Sequence, residues 1–319
     1  MEPTVRLSIV VPVYNEIESI GELQAEIVEV VGATGMTWEL VYVDDGSNDG
    51  SSAKLDQLAT GKPNVRVLHL NRNWGKSMAY MAAFGALGGE LVATLDADLQ
   101  DDPHEIPAMM GRLDQGFDLV IGWKQGRLDN EPLKAIPSRF FNGLVGALFG
   151  LRLHDQNCGF RVMRRPVADA LELYGDIYRF IPQIAHVKGF RVTEQGVNHR
   201  KRRFGKSKYG AKRFWTGLLD VLTVRFITAH AQRPLHFFGT LGLVPLALGM
   251  VLESYVLVEK LQGGTFQTHV AAIIVGVLLL VVAFQCIISG LIGEMLTAQQ
   301  RLRPELAIRA RAGGGAERG

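Results

Sequence analysis

Short apolar runs alternate with amphipathic segments along the first two thirds of the chain. VRLSIVVPV (5–13), Glu39–Val43, VRVLHL (65–70), ELVATLDAD (90–98) and DLVIGW (118–123) are apolar almost throughout and rich in Val, Ile and Leu. Runs of this length predict strands buried on both faces. The spacing between them predicts a helix from about Ile17 to Val31. A second helix opens near Asp49 or Ser51, either of which can cap it. A third covers the small-residue-rich GKSMAYMAAFGALG. Strand–helix alternation predicts an α/β fold with a largely parallel sheet. Polar clusters follow the first four strands: YNE, DDGSNDG, NRNWGK and DADLQDDP. Ligands bind at the carboxyl ends of such strands, so the four clusters are expected to converge on one site.

The last third reads differently. Residues 235–257 hold one acid, Glu253, and residues 270–293 hold no charged residue. At 1.5 Å rise per residue each run reaches about 34 Å, enough to cross a bilayer core. The flanks carry Arg225, Arg233, Arg301 and Arg303, while the segment between the runs has one Lys and one Glu. The positive-inside rule then predicts a cytoplasmic N-terminal domain over 1–210 and spans at 235–258 and 270–294. Residues 259–269 form a short external loop, and the cytoplasmic tail, 295–319, is partly disordered. In the juxtamembrane segment 211–234, Phe214, Leu218, Val221, Leu222, Arg225 and Phe226 follow helical spacing. That segment suits an amphipathic helix at the membrane interface, or an ordinary helix packed on the N-terminal domain. Small residues in the spans permit association into a homo-oligomer.

Of the 319 residues, 47% are hydrophobic and the formal net charge is +2, which argues against a dedicated nucleic-acid binder. The charge is uneven. Arg200, Lys201, Arg202, Arg203, Lys206 and Lys208 crowd one stretch, which calls for an anionic partner or a membrane surface. Two distant cysteines, Cys158 and Cys286, build neither a disulfide framework nor a CxxC metal site, and a reducing compartment fits. The interrupted apolar run at the N-terminus is not expected to be a signal peptide.

The candidate chemistry centres on the acids. Asp96 and Asp98 stand two apart at a strand end, followed by Gln100, Asp101 and Asp102. Oxygen donors at this spacing suit a hard divalent ion that keeps positions for phosphate oxygens. An EF-hand is excluded, because its sixth and twelfth positions hold Asp101 and Pro107 where Gly and Glu are needed. NWGKS and FGKSK are not P-loops, since Leu70 and Arg200 stand where the first Gly belongs. No GxGxxG follows the first strand, which weakens a dinucleotide-binding reading. Cys158 reads as a loop cysteine, and no pair of histidines has metal-ligand spacing.

IVVPVYNE, VYVDDGSNDG, RNWGKSMAYMAAFGAL, LDADLQDDP, NCGFRVMRR and RRFGKSKYG occur in one order over roughly residues 5–300. In this combination the chain resembles the family 2 glycosyltransferases of GT-A fold. Among them it is similar to the polyprenyl-phosphate glycosyltransferases, such as dolichol-phosphate mannose synthases and bacterial undecaprenyl-phosphate sugar transferases. The resemblance implies a nucleotide-diphospho-sugar donor, a polyprenyl phosphate acceptor, and Mg²⁺ or Mn²⁺ as cofactor. It implies nucleotide contacts from Pro12, Tyr14, Asn15, Glu16, Asp44, Asp45, Lys76, Asp96, Ala97 and Asp98. Metal ligation falls to Asp96, Asp98 and Gln100, and acceptor-phosphate contacts to Arg139, Arg200, Arg202, Ser207 and Lys208. Asp155 falls where related bacterial enzymes carry a catalytically important acid. The QxxRW of processive members is lacking, which favours single-sugar transfer. UDP-glucose is the leading donor, with a GDP-mannose-dependent mannosyltransferase as the alternative. A membrane-bound nucleotidyltransferase or a nucleotide-sugar sensor are the more distant ones.

Overall fold

The computed structural model describes residues 5–124, 143, 145–198, 200, 213–230 and 233–300. It divides near Val224 into two compact units.

The first unit is built on a seven-stranded sheet of order β3-β2-β1-β4-β6-β5-β7. The strands are β1 (Leu7–Val13), β2 (Trp38–Asp44), β3 (Val65–His69), β4 (Leu91–Thr94), β5 (Leu119–Lys124), β6 (Arg161–Arg164) and β7 (Val192–Val197). β1 pairs in parallel with β2 and β4, as does β2 with β3 and β5 with β7. β6 runs antiparallel to both of its neighbours, β4 and β5. The sheet is thus largely parallel, as the alternating pattern predicts. β6 and β7 are the two strands that sequence reading missed. β6 has four residues, one a buried arginine, and β7 is half-buried, so neither makes a long apolar run.

Helices cover both faces. α1 (Ile20–Ala33), α2 (Ser51–Ala59) and α4 (Ile106–Asp114) place Leu23, Ile27, Leu55 and Met109 against Ile9, Val11, Leu40 and Tyr42. On the other face α3 (Lys76–Phe84), α5 (Arg165–Ala170) and α6 (Ile181–Val187) place Ala79, Ala83, Val167 and Ile184 against Val10, Val41, Val43 and Val92. Adjacent strand residues face opposite layers, which is why the strands read as continuous apolar runs. Each fully buried Val, Leu or Ile contributes about 1.5–3 kcal/mol.

α2 begins at Ser51, and Asp49 supports its start by accepting the Ser51 backbone N–H at 2.9 Å and its hydroxyl at 2.6 Å. α1 begins three residues later than expected, after Ser19. α7 (Arg213–His230) buries Val221 and Val224 in the second core layer, while Leu222 and Ile227 remain exposed. One face of this helix therefore packs on the core of the first unit.

The second unit holds α8 (Pro234–Leu261) and α9 (Val270–Gln300), both long and apolar enough to cross a membrane. Their bounds bracket the expected spans. On α8, Gly242 faces Ala283 and Cys286 of α9 and Gly249 faces Gly276 and Leu280, while Gly290 of α9 faces Leu235 and Phe238. A Cβ at Gly242 would stand 3.0 Å from the Cys286 Cβ, and one at Gly249 3.0 Å from the Gly276 carbonyl oxygen. Small residues here let the two backbones approach closely.

At the ends of β2 and β3, Asp44 accepts from the Ser47 N–H at 3.0 Å and the Ser52 hydroxyl at 2.5 Å, and contacts His69 Nδ1 at 2.9 Å. Burial would raise the Asp44 carboxyl, but the hydrogen bonds of Ser47, Ser52 and His69 hold it below its ordinary 3.8. The bond to Asp44 raises His69 above its ordinary 6.5, against the opposing effect of burial, and Asp56 reinforces it. A depressed acid loses its contribution as pH falls through its folded value; a raised histidine loses its own as pH rises through its folded value. The pair is thus expected to stabilise the fold most between these ordinary values of 3.8 and 6.5. In melting curves, the Tm advantage of the wild type over His69→Gln should shrink steadily from mildly acidic to alkaline buffer.

Candidate active site

The carboxyl ends of β1, β2 and β4 and the start of α3 enclose a cleft of about 350 Å³. Pro12, Tyr14 and Glu16 line it from the end of β1, Asp45 from the end of β2, and Asn73, Gly75 and Lys76 from the turn into α3. Asp96, Ala97 and Asp98 come from beyond β4. The predicted convergence of polar clusters thus occurs in the folded chain. A fourth wall was missed: Asp176, Tyr178 and Arg179, from the turn before α6. Their sequence, GDIYRF, carries no motif signal. The structure brings it in through the Tyr178 N–H, which donates to the Ser77 hydroxyl on α3 at 3.2 Å.

At the centre, Lys76 Nζ lies 2.5 Å from Asp96 Oδ1, with side chains 25% and 30% exposed. Burial would raise the Asp96 carboxyl, but the charges of Lys76, then Lys124 and Arg161, hold it below the usual carboxylate range. Burial likewise works against the Lys76 charge, yet Asp96 pushes the ammonium above its ordinary value. Behind this pair, Lys124 Nζ lies 3.3 Å from buried Asp101. Burial pushes the Asp101 carboxyl up, and the charges of Asp96 and Asp98 add to this against the pull of Lys124. Lysines and aspartates thus pair in two steps, Lys76 with Asp96 at the cleft and Lys124 with Asp101 behind it.

Two backbone features set the geometry. Leu99 is buried yet has φ of 61°, a left-handed conformation that a leucine rarely adopts and that costs about 1–3 kcal/mol. It turns the chain sharply between Asp98 and Gln100, whose N–H donates to Asp98 Oδ1 at 3.2 Å. Gly159, in the NCGFR segment, backs directly onto Asp96, where a Cβ would stand 2.5 Å from Oδ1. Its carbonyl accepts from the buried Thr94 hydroxyl at 2.8 Å.

Other expected site residues serve the loops. Asp45 accepts from the Trp74 N–H at 2.7 Å and the Gly75 N–H at 2.9 Å, pinning the turn that carries Lys76. Asn15, with φ of 57°, accepts from the Asn48 N–H at 2.9 Å and donates its own N–H to Ser47 at 3.0 Å. It joins two loops and is not among the cleft-lining residues; nor is Asp44, which is turned into its own network. Gln100 directs its amide toward the Arg200 carbonyl at 3.4 Å. Arg200 was expected at the acceptor phosphate. In the structure its guanidinium meets Glu26 at 2.7 and 2.8 Å and Asp102 at 2.8 Å, which makes it a brace between α1 and the turn before α4. Asp155 accepts from the Asn157 N–H at 3.1 Å, and its charge reaches Lys124. Arg139, Arg202, Ser207 and Lys208 lie outside the described residues.

The donor set can be tested against a divalent ion. Among the described residues no group of three His, Cys, Asp or Glu surrounds a common point. Asp96 and Asp98 nevertheless offer hard carboxylate oxygens on the open cleft wall. That suits an ion held by one or two carboxylates and completed by substrate oxygens and water, rather than an all-protein cage.

Comparison with known proteins agrees with this arrangement. Residues 8–171 match the description "Glycosyl transferase family 2". The chain belongs to glycosyl transferase family 2. It is 36% identical over 298 residues to the dodecaprenyl-phosphate galacturonate synthase of Rhizobium johnstonii, covering 92% of this chain and 88% of that protein. It is 35% identical to the undecaprenyl-phosphate 4-deoxy-4-formamido-L-arabinose transferase of Salmonella newport, covering 92% and 89%. Among solved structures, the mannosyl-3-phosphoglycerate synthase of Rubrobacter xylanophilus superposes with TM-score 0.56 at 18% identity, covering 70% of this chain and 74% of that one. The glucosyl-3-phosphoglycerate synthase of Mycobacterium tuberculosis, solved with Mn²⁺, UDP and phosphoglyceric acid, gives 0.53 at 19%, covering 69% and 78%. These likenesses show the fold, a GT-A-like α/β domain with two further apolar helices after it.

Gly159→Ala in this family 2 enzyme should push Asp96 off its position. Lipid-linked product formation is expected to fall by about 100-fold, the scale of a misplacement near 1 Å. Circular dichroism and gel filtration should stay those of the wild type.

Proposed function

We propose that this chain transfers a single sugar from a nucleoside diphosphate to polyprenyl phosphate at a membrane surface. The observation that carries the reading is the cleft in which Lys76, Asp96 and Asp98 meet at the ends of parallel strands. Relatives named for transfer to dodecaprenyl and undecaprenyl phosphate match it over nine tenths of its length. The two long apolar helices support a bilayer-embedded anchor, with the catalytic unit and tail cytoplasmic and 259–269 outside.

Asp96 and Asp98 would hold Mg²⁺ or Mn²⁺ against the donor's diphosphate; the Mn²⁺ and UDP of the mycobacterial structure support this. Bound there, a divalent ion neutralises charge on the departing diphosphate. Lys76 lies against the same acid and adds a second positive charge beside the leaving group. Asp45 fixes the turn bearing Lys76. The acceptor's phosphate oxygen forms a bond to the anomeric carbon as the bond to the diphosphate oxygen breaks, which inverts that centre. A phosphate monoester has its second pKa near about 6, so the nucleophile is already mostly ionised at neutral pH. Asp155 is then an orienting group rather than a proton acceptor. Arg139, Arg202, Ser207 and Lys208 are proposed to hold the acceptor phosphate.

UDP-glucose is one donor compatible with this site. The names of the relatives, a galacturonate and a formamido-arabinose, support a modified sugar instead.

The test is incubation of the full chain in nanodiscs with polyprenyl phosphate, Mg²⁺ or Mn²⁺ and a panel of nucleotide sugars, read by mass spectrometry of the lipid. One sugar added per lipid, abolished by chelator and by Asp98→Asn, is expected. Release of pyrophosphate with nucleotide left on the lipid would refute the reading. The activity of wild type and Asp155→Asn should rise alike across a pKa near about 6, set by the acceptor phosphate. Loss of that limb in the variant would make Asp155 the base.

A further inference from the structure

Arg179 has no part in the mechanism above. It lines the cleft, yet only 7% of the residue is exposed. The segment that carries it is fastened to α3 at two points. The Tyr178 N–H donates to Ser77 at 3.2 Å, and the Leu173 N–H points at the Met81 sulfur at 3.4 Å. Lys76 Nζ and Arg179 Cζ each lie 5.6 Å from the Tyr178 ring centre. The described cleft walls thus carry two cations, set around one aromatic ring.

The two are differently engaged. Lys76 is held to Asp96 at 2.5 Å. Arg179 has Asp176 at 3.4 Å, an acid whose side chain is 54% exposed and itself lines the cleft. The charge of Asp220 on α7 also reaches this pair. Taking a guanidinium out of water costs several kcal/mol, which an oxyanion in the cleft would offset. A guanidinium presents a planar fork of N–H groups that matches a carboxylate with two parallel bonds. A donor whose diphosphate lies at Lys76 carries its sugar next to that diphosphate. Both cations lie 5.6 Å from the Tyr178 ring centre, so a donor whose diphosphate sits at Lys76 brings its sugar within range of Arg179.

We propose that Arg179 is a specificity-determining residue that pairs with a carboxylate on the transferred sugar, so that the donor is a nucleoside-diphosphate uronic sugar. This rests on the sugar-transfer reading of the same cleft. A neutral hexose would offer the guanidinium only a hydroxyl.

UDP-galacturonate and UDP-galactose differ only at C6 and serve as probes. Binding of each, without acceptor, and kcat/KM, with polyprenyl phosphate, are measured for the full-length wild type, Arg179→Lys and Arg179→Met. The wild type is expected to favour the uronate. Arg179→Met should lose on the order of 100-fold on the uronate, the scale of a charged hydrogen-bond pair, and change little on the neutral sugar. Arg179→Lys, which keeps the charge without the fork, should fall between. Equal handling of both sugars by the wild type would overturn the proposal. So would an equal loss on both donors in Arg179→Met, or a rise in acceptor KM with donor binding unchanged, which would assign Arg179 to the lipid phosphate. Donor binding decides the assignment even if no lipid product forms, a result that would instead refute the transfer reading.

Discussion

The ion pair between Lys76 and Asp96 organises the cleft. Lys76 stands at the first position of α3, where a positive charge opposes the helix dipole by about 0.3–1 kcal/mol. Local helix energetics therefore do not favour a lysine there. Asp96, arriving from β4 at 2.5 Å, offsets that cost and keeps both groups charged in a poorly hydrated place. The same arrangement serves chemistry, because a cation already at a carboxylate needs little movement to meet a phosphate oxygen.

Around that pair, the surrounding loops hold one another in place. Asp45 holds the turn that launches Lys76, and Asn15 ties the loop after β1 to the loop after β2. Gly159 gives Asp96 room, and a strained Leu99 turns the chain past Asp98. Strain of this kind persists only where the surrounding packing over-determines it. Here the packing is the two-layer core, whose strands end together at the cleft.

The second unit follows a different physical rule. Its helices expose apolar side chains such as Val251, Ile274 and Phe284 and bury glycines, the reverse of a water-soluble bundle. Close backbone approach at Gly242, Gly249 and Gly290 is what holds such a pair together when the surroundings are as apolar as the side chains. α7 combines the two habits, with Val221 and Val224 in the catalytic core and Leu222 outside it.

Much of this was legible from pattern alone. The first five strands, the α/β class, the two apolar helices and the acid pair at 96 and 98 all lie in contiguous stretches, and local periodicity records them because each is a local burial problem. Long-range pairing was not legible. β6 is four residues long with a buried arginine, and only its neighbours β4 and β5 make it a strand. Arg200 reads as one more member of a basic run until the fold brings Glu26 and Asp102 against it. Asp44 and Asp45 are adjacent and chemically identical, yet strand pleat and turn send one inward to His69 and the other to the cleft wall. Arg179 belongs to no motif and reaches the cleft because the turn before α6 docks on α3. Residue chemistry and local spacing set what each segment can do. Which charges meet across 20 to 174 residues is decided by packing, since the Coulomb energy of a pair depends on its distance and solvent exposure in the fold.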